Sequence, residues 1–242
     1  MIEIENLFIS YADKNILDDI SLNIGSSCSI LGNNGSGKSS FAKALSGLLP
    51  YNGSIRIDNK EVSKYEVKEL AKKIAYIPTK LDIYDKSLNV FEFVLFSRYA
   101  YKKSFFDFSK EDKMTVGRTL ASLGIESLEN LPLHTLSSGE SALVLIAAAL
   151  VTQSQIVIFD EPTANLDPKN AQKIAKIIKE LQKTHQIVCI THDIKLAKFL
   201  GFDILFIREQ KMKSFSYRQF FCDEMLSKLY DVPFVGLEVF YD

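Results

Sequence analysis

Short apolar runs alternate along this chain with longer segments in which apolar residues recur at helical spacing. Residues 155–159 (QIVIF) and 186–190 (QIVCI) are nearly continuous apolar runs, as expected of strands buried on both faces of a parallel sheet. Between them, Asp167 and Pro168 predict the start of a helix that continues to about residue 183, because Asp caps free N–H groups and Pro needs none at the first helical position. This alternation predicts an α/β fold with helices packed on a parallel sheet.

Two other regions follow different patterns. Residues 2–57 alternate short strands with turn residues, whereas residues 83–151 are mostly helical. Within the second region, Asn89 and Ser109 each precede an acidic residue by three positions, which is the pattern of a helix N-cap. We therefore expect an α/β core that carries a helical insert.

Length and composition agree with one domain. The chain has 242 residues, of which 47% are hydrophobic and 24% charged, and these values are ordinary for a globular protein with a sizeable core. The sequence contains no internal repeat, low-complexity segment or flexible linker. We expect a single domain over residues 1–242, with its core formed by residues 1–82 and 152–242 and its helical insert by residues 83–151.

Charge and run length argue against two classes of protein. Lys and Arg total 29 against 30 for Asp and Glu, a net charge of -1, whereas nucleic-acid binding calls for a basic face. The longest apolar stretch, Ala142–Val151, has ten residues, about half of what a membrane helix needs, and the chain begins without a signal-peptide pattern. We therefore expect a soluble protein. We also expect reduced thiols, because Cys28, Cys189 and Cys222 form no CxxC motif.

Residues 32–39 (GNNGSGKS) satisfy the phosphate-loop pattern G-x-x-x-x-G-K-[ST]. The glycines let backbone N–H groups curl around phosphate oxygens, and the helix that follows adds its dipole. Lys38 can reach the β- and γ-phosphates, and the Ser39 hydroxyl can ligate Mg²⁺. The residues expected to bind nucleotide in this segment are Gly32, Asn33, Asn34, Gly35, Ser36, Gly37, Lys38, Ser39 and Ser40.

Asp160 and Glu161 directly follow the apolar run that ends at residue 159. At the end of a strand close to a phosphate loop, one carboxylate can hold Mg²⁺ through water and the next can polarise an attacking water. An isolated Asp-Glu pair after a strand is more often the solvated start of a loop. Further motifs, which occur in a fixed order, favour the catalytic interpretation here.

Those motifs resemble the ATP-binding subunits of ABC transporters. Residues 136–140 (LSSGE) resemble the ABC signature, residues 160–167 (DEPTANLD) the Walker B motif and D-loop, and residues 190–193 (ITHD) the switch-histidine segment. Tyr11, shortly after the first predicted strand, matches the aromatic residue that stacks on adenine. The resemblance covers nearly the whole chain.

The resemblance implies a P-loop NTPase fold of the ABC type, with a mixed or parallel core sheet, an N-terminal antiparallel β subdomain and an inserted helical subdomain. It implies ATP and Mg²⁺ as cofactors, with Ser39 and Asp160 as the residues that face the metal. It also implies a head-to-tail homodimer, in which each ATP lies between the phosphate loop of one subunit and the signature of the other.

Roles for four further residues follow from the same resemblance. Ser137 and the N–H of Gly139 would contact the γ-phosphate bound by the other subunit. Glu161 would be the general base, and His192 would hold the γ-phosphate and sense its loss. Taken alone, His192 would be interpreted as a structural histidine, but its position at the end of a predicted strand favours the functional role.

The chain departs from the family pattern at two motifs. Thr79 stands in the Q-loop where the family has glutamine, and its side chain is too short to reach Mg²⁺ and the attacking water without an intervening solvent molecule. In the signature, Ser138 replaces a glycine. We hypothesise that turnover is slowed or loosely coupled while ATP binding is intact.

The helical insert indicates which ABC system the chain resembles. Residues 93–99 (FVLFSRY), a turn at residues 105–107 and a helix start at residues 109–112 (SKED) are similar to importers of iron–siderophore complexes, haem and cobalamin. Apolar residues also occupy every side of the predicted helix 90–96, more than a small insert can bury.

We therefore expect part of the insert to face a partner. Phe96 and Tyr99, together with the loop at Thr79, are predicted to form a groove that grips a membrane permease subunit. The resulting expectation is an import ATPase for an iron chelate or cobalamin, on the cytoplasmic face of the cell membrane. A periplasmic or lipoprotein substrate-binding protein would take part indirectly, and no nucleic acid is expected.

Other functions stay open on the sequence alone. A non-transport ABC ATPase, such as an iron–sulfur assembly component, would have soluble partners in place of a permease. A binding module that has lost catalysis is kept open by Thr79, although Lys38, Asp160, Glu161 and His192 argue against it. An ABC exporter or an importer of another cargo would differ in the permease, because the cargo does not touch the ATPase subunit in this family.

Overall fold

The computed structural model describes residues 1–11, 14–81, 85, 87–102, 107–237 and 241. Strands in these ranges form a four-stranded and a six-stranded sheet. The strands are β1 (Ile2–Tyr11), β2 (Lys14–Ile24), β3 (Cys28–Gly32), β4 (Asn52–Ile57), β5 (Lys60–Glu61), β6 (Ile74–Ile77), β7 (Ile156–Asp160), β8 (Gln186–Ile190), β9 (Asp203–Arg208) and β10 (Lys211–Phe215).

The six-stranded sheet has the order β10-β9-β3-β8-β7-β6. Strands β3, β6, β7, β8 and β9 pair in parallel, and β10 joins the edge antiparallel to β9. All five residues of β3 and of β7 are buried, as their continuous apolar runs predict. The carboxyl ends of β3, β7 and β8 meet at one edge of this sheet. The phosphate loop begins there at the end of β3, and Asp160 and Glu161 lie there at the end of β7.

The smaller sheet is antiparallel and has the order β2-β1-β4-β5. Its first two strands have ten and eleven residues, so they are longer than the short strands that the turn residues indicate. Register shifts interrupt the pairing of β1 with β2, and Asn6 and Asp19 adopt positive φ angles of 46° and 52°. Short polar side chains tolerate this conformation, so the strands continue through bulges where breaks are expected.

Helices fill the remaining layers, and three of them begin where the sequence predicts an N-cap. Asn89, Ser109 and Asp167 each accept a hydrogen bond from the backbone N–H three residues later. The helices are α1 (Lys38–Leu45), α2 (Val67–Ala71), α3 (Val90–Phe96), α4 (Lys110–Ser122), α5 (Ser138–Leu150), α6 (Pro168–Leu181), α7 (Ile194–Leu200), α8 (Tyr217–Phe220) and α9 (Asp223–Tyr230). Short 3-10 turns lie at Val62–Lys64, Ser97–Tyr101, Glu126–Leu128 and Leu133–Thr135.

Helices α3, α4 and α5 pack on one another, and a buried ion pair ties the segment after α3 to α4. The Arg98 guanidinium donates to Asp112 at 2.9 Å and to the Val151 carbonyl at 2.8 Å, so the buried charge is both paired and hydrogen-bonded. The predicted boundary between residues 82 and 83 and the predicted turn at Phe105 and Phe106 lie outside the described residues.

The last part of the chain packs on the large sheet through two short helices. Phe220 of α8 and Leu226 of α9 are fully buried in a cluster with Phe206 of β9. The break falls after Phe220, and Asp223 starts the second helix. Among all helices of the described residues, none has the length and apolarity that crossing a bilayer demands.

Candidate functional site

The phosphate loop spans from the end of β3 at Gly32 to the start of α1 at Lys38. Gly35 and Gly37 have φ angles of 76° and 101°, a region that other residues rarely adopt. A Cβ atom at Gly32 would lie 2.5 Å from the Ile207 carbonyl oxygen, and one at Gly37 would lie 2.8 Å from the Ile16 side chain. Conformation therefore requires glycine at positions 35 and 37, and close packing excludes a side chain at Gly32 and Gly37.

Lys38 lies at the centre of this loop with its side chain 6% exposed. Its ammonium group donates to the carbonyl oxygens of Gly32 at 2.9 Å and Asn33 at 3.1 Å, and it lies 3.9 Å from a Glu161 carboxylate oxygen. Burial lowers the pKa of Lys38, while Glu161 and Asp160 oppose that shift. The loop thus holds a cationic side chain that is largely shielded from solvent beside two acidic residues.

Asp160, the last residue of β7, accepts a hydrogen bond on each carboxylate oxygen. The Ser39 hydroxyl donates to Oδ1 at 3.0 Å, and the phenol of Tyr76 on β6 donates to Oδ2 at 2.8 Å. Burial, and then the bond to Asp160, raise the pKa of Tyr76, so the phenol stays a neutral donor. Sequence reasoning missed Tyr76. Its position on a strand parallel to β7 was the available signal, because parallel strands end at one edge.

Glu161 and His192 form the second pair at this edge. The Nδ1 atom of His192 lies 2.8 Å from Glu161 Oε2, and the backbone N–H of His192 donates to the same oxygen at 3.2 Å. Glu161 has a positive φ of 52°, a strained conformation that is often found at functional sites. Sheet topology therefore brings together Lys38, Ser39 and Asp160 with this pair.

The residues at this edge suit a nucleotide phosphate and a hard cation. The Oγ atom of Ser36 is buried and has no hydrogen-bond partner among the described residues, so it offers a free donor inside the glycine-rich cradle. Ser39 and Asp160 present a hydroxyl and a carboxylate oxygen 3.0 Å apart, and such oxygens are the ligands that Mg²⁺ prefers.

The signature residues lie at the start of α5. Ser137 caps α5, and its hydroxyl donates to the Glu140 carboxylate at 2.7 Å, while the Glu140 N–H donates back to the Ser137 hydroxyl at 3.3 Å. Gly139 is buried, and a Cβ atom there would lie 2.6 Å from the Asn170 side chain. Ser137 and Ser138 are exposed, so these two side chains are accessible at the surface of the chain.

The remaining predicted residues are placed as follows. Tyr11 ends β1 with an exposed side chain. Asn33 and Asn34 are exposed on the phosphate loop, and Ser40 is half-buried in the first turn of α1. Thr79 lines a cavity of about 200 Å³, whose wall also includes Ser138 of the signature.

The edge described above holds the residues that the ABC resemblance predicts to bind nucleotide. Residues 17–164 match the ABC transporter family, and the chain belongs to that family, which confirms the resemblance and the fold class predicted from sequence. It is an ATP-binding subunit of a transporter, and its reaction is ATP hydrolysis.

Relatives with assigned cargoes differ in what they import. An ABC transporter ATP-binding protein of Haemophilus influenzae, without assigned cargo, is 36% identical over 87% of this chain and 81% of its own. The petrobactin import ATP-binding protein FpuD of Bacillus anthracis is 30% identical over 87% of this chain and 79% of its own. The phosphonates import ATP-binding protein PhnC of Fusobacterium nucleatum is 34% identical over 86% of this chain and 89% of its own.

Among solved structures, the chain is similar to the ATP-binding cassette MJ0796. That protein was solved as a dimer in a post-hydrolysis state with bound ADP and Pi. The TM-score is 0.78 at 26% identity, with 90% of this chain and 99% of the other covered.

Proposed function

We propose that this chain powers a bacterial importer of an iron chelate, such as a siderophore complex or haem, or of cobalamin. One observation supports ATP hydrolysis at this edge, which is that five predicted residues contact one another there. Ser39 lies 3.0 Å from Asp160, His192 lies 2.8 Å from Glu161, and Lys38 forms an ion pair with Glu161 at 3.9 Å. The cargo is supported by the similarity of the insert to importers of this group and by the petrobactin relative.

In the proposed reaction, Lys38 would bind the β- and γ-phosphates, and Ser39 and Asp160 would hold Mg²⁺. Bound Mg²⁺ would neutralise the charge that develops on the phosphate oxygens. Glu161 accepts the proton of the attacking water. His192, whose Nδ1 atom lies 2.8 Å from Glu161 Oε2, orients that base and contacts the γ-phosphate.

We further propose that two copies act together. The start of α5 supports this, because Ser137 and the Gly139 N–H lie at a helix N-terminus, where a phosphate binds well, and the Ser137 side chain is exposed. In a head-to-tail dimer they would complete the site of the other copy. ATP then holds the two copies together, and hydrolysis releases them.

The partner in the membrane is proposed to dock on the insert. Phe96 and Tyr99 are 55% and 59% exposed, and Lys68 of α2 lies 4.8 Å from the Tyr99 ring centroid. A neighbouring cavity of about 460 Å³ includes Pro78 and Phe93 in its wall. This apolar surface suits a permease segment, and docking there would hold the protein at the cytoplasmic face of the membrane.

Phosphonate import is the second candidate, because PhnC is 34% identical to this chain. Co-purification with the permease, followed by reconstitution and uptake assays, separates the candidates. We expect a polytopic membrane protein to co-purify and ATP-dependent uptake of a ferric chelate, haem or cobalamin. Uptake of a phosphonate alone would overturn the proposed cargo, and purification with soluble partners only would overturn the proposed permease partner.

A further inference from the structure

Tyr76 contacts the carboxylate that we assign to the metal, although no motif of the sequence singles it out. In the sheet register Tyr76 lies opposite Ile158 of β7, two residues before Asp160. Its phenol donates to Asp160 Oδ2 at 2.8 Å, and Ser39 donates to Oδ1 at 3.0 Å. One oxygen is therefore held by the phosphate loop and the other by the strand at the edge of the sheet.

Two donors on separate oxygens fix the orientation of a carboxylate that could otherwise rotate about its last side-chain bond. Residues that ligate or face a metal are commonly oriented by such outer hydrogen bonds, and losing one costs about 10–100-fold in metal affinity. Asp160 is almost fully buried, so water competes weakly for these positions.

A role in packing alone does not account for the phenol. The Tyr76 ring lines two cavities, of about 820 and 460 Å³, so it is not tightly enclosed. A phenylalanine would fill the same space without placing a hydroxyl at Asp160. Thr79, three residues later, lines a different cavity with Ser138, so the contact from this strand to Asp160 is made by Tyr76.

We infer that Tyr76 is a positioning residue of the metal site, which orients Asp160 toward bound Mg²⁺–nucleotide. The inference rests on the proposed function, because it takes Asp160 as the residue that holds the metal. It concerns the strength with which Mg²⁺ improves nucleotide binding, so it can be measured without turnover.

The test compares ADP affinity in excess Mg²⁺ with ADP affinity in EDTA by titration calorimetry, for the whole chain and its variants. The ratio of the two dissociation constants reports the contribution of the metal. In Tyr76→Phe we expect this ratio to fall about 10-fold, with the affinity in EDTA changed less than about twofold. The matched control is Tyr65→Phe, which removes a phenol that donates to the Ile57 carbonyl at 2.7 Å in the larger of the two cavities and should keep the ratio.

Asp160→Asn distinguishes failure of this inference from failure of the proposed function. If Asp160→Asn removes the metal dependence but Tyr76→Phe keeps it, Tyr76 is not a positioning residue and the metal site stands. If Asp160→Asn keeps the metal dependence, Asp160 does not hold the metal, and both ideas fail. Equal loss in Tyr76→Phe and Tyr65→Phe would indicate a general packing effect and would also overturn the inference.

Discussion

The phosphate-loop edge and the start of α5 are proposed to bind the same nucleotide, but they are constructed in opposite ways. At the edge, Lys38 and Asp160 are buried, Lys38 contacts Glu161, and both oxygens of the Asp160 carboxylate accept hydrogen bonds from other elements. At the start of α5, Ser137 and Ser138 are exposed, and the Ser137 hydroxyl is bonded to Glu140 of its own helix.

The difference separates what one chain supplies from what a second copy must add. The edge is organised in advance by parallel strands that end together, so it can bind phosphate with little rearrangement. The start of α5 holds the Glu140 carboxylate where an incoming phosphate would bind, since both favour a helix N-terminus. To bind a phosphate, the signature would have to release the Glu140 carboxylate. We therefore expect its contribution to nucleotide binding to depend on dimer formation.

Among the variants at the phosphate-loop edge, Glu161→Gln should have the largest effect on the rate of ATP hydrolysis. Removing a general base lowers turnover by about 10²–10⁴-fold, while Lys38 and the loop still bind ATP. Steady-state phosphate release and nucleotide titration measure the two quantities. Glu180→Gln is the control and should leave both unchanged, because Glu180 is an exposed residue of α6 that pairs with Lys183 at 2.6 Å. Turnover within a few fold of wild type in Glu161→Gln would exclude Glu161 as the base.

Lys38→Ala should weaken nucleotide binding itself. Charge-assisted hydrogen bonds to a buried group contribute about 1.5–3 kcal/mol each, so we expect roughly 100-fold lower affinity. Lys43→Ala, five residues later on the same helix, should bind normally. Unchanged affinity in a folded Lys38→Ala protein would contradict the assignment of residues 32–39 as the phosphate site.

Ser137→Ala should leave binding by the single chain intact and weaken ATP-dependent dimerisation about 10-fold, the effect of one lost bond to a charged phosphate. Loss of the helix cap should also cost about 1 kcal/mol of stability. Ser216→Ala removes an equivalent cap from α8 and should reduce stability alone. Sedimentation with ATP compares the two variants in the Glu161→Gln background. If Ser137→Ala dimerises as well as Ser216→Ala, the signature does not contribute to the nucleotide site.

Phe96→Glu should abolish stimulation of the ATPase by the permease, with basal turnover within about twofold, because a charge on an apolar docking face is costly to desolvate. Met114→Glu alters a residue of similar exposure, 56% against 55%, on α4 of the same insert. Stimulation that survives in Phe96→Glu, or is lost equally in Met114→Glu, would place the docking surface elsewhere.

Thr79→Gln is expected to have the smallest effect, a rise of a few fold in turnover or in permease stimulation. The longer side chain could reach the metal and the attacking water, which the threonine hydroxyl reaches only through solvent. Turnover and stimulation equal to those of the wild-type chain would show that Thr79 does not slow the enzyme.

The sequence was informative where local rules decide the structure. Buried strands β7 and β8, the caps at Asn89 and Asp167 and the phosphate loop all depend on neighbouring residues, and the structure has them where they were predicted. The length of β1 and β2 was not predictable, because bulges at Asn6 and Asp19 depend on pairing between strands. Tyr76 was missed for a similar reason, since its bond to Asp160 joins residues 84 positions apart.

The central claim is that two copies of the chain enclose ATP between residues 32–39 of one and residues 136–140 of the other. A crystal structure of Glu161→Gln with ATP and Mg²⁺ tests it most directly. We predict two nucleotides at the interface of a head-to-tail dimer, with Ser137 and the Gly139 N–H of each copy within hydrogen-bond distance of the γ-phosphate held by the other. ATP bound to copies whose signature segments face away from the neighbouring phosphate loop would contradict the claim.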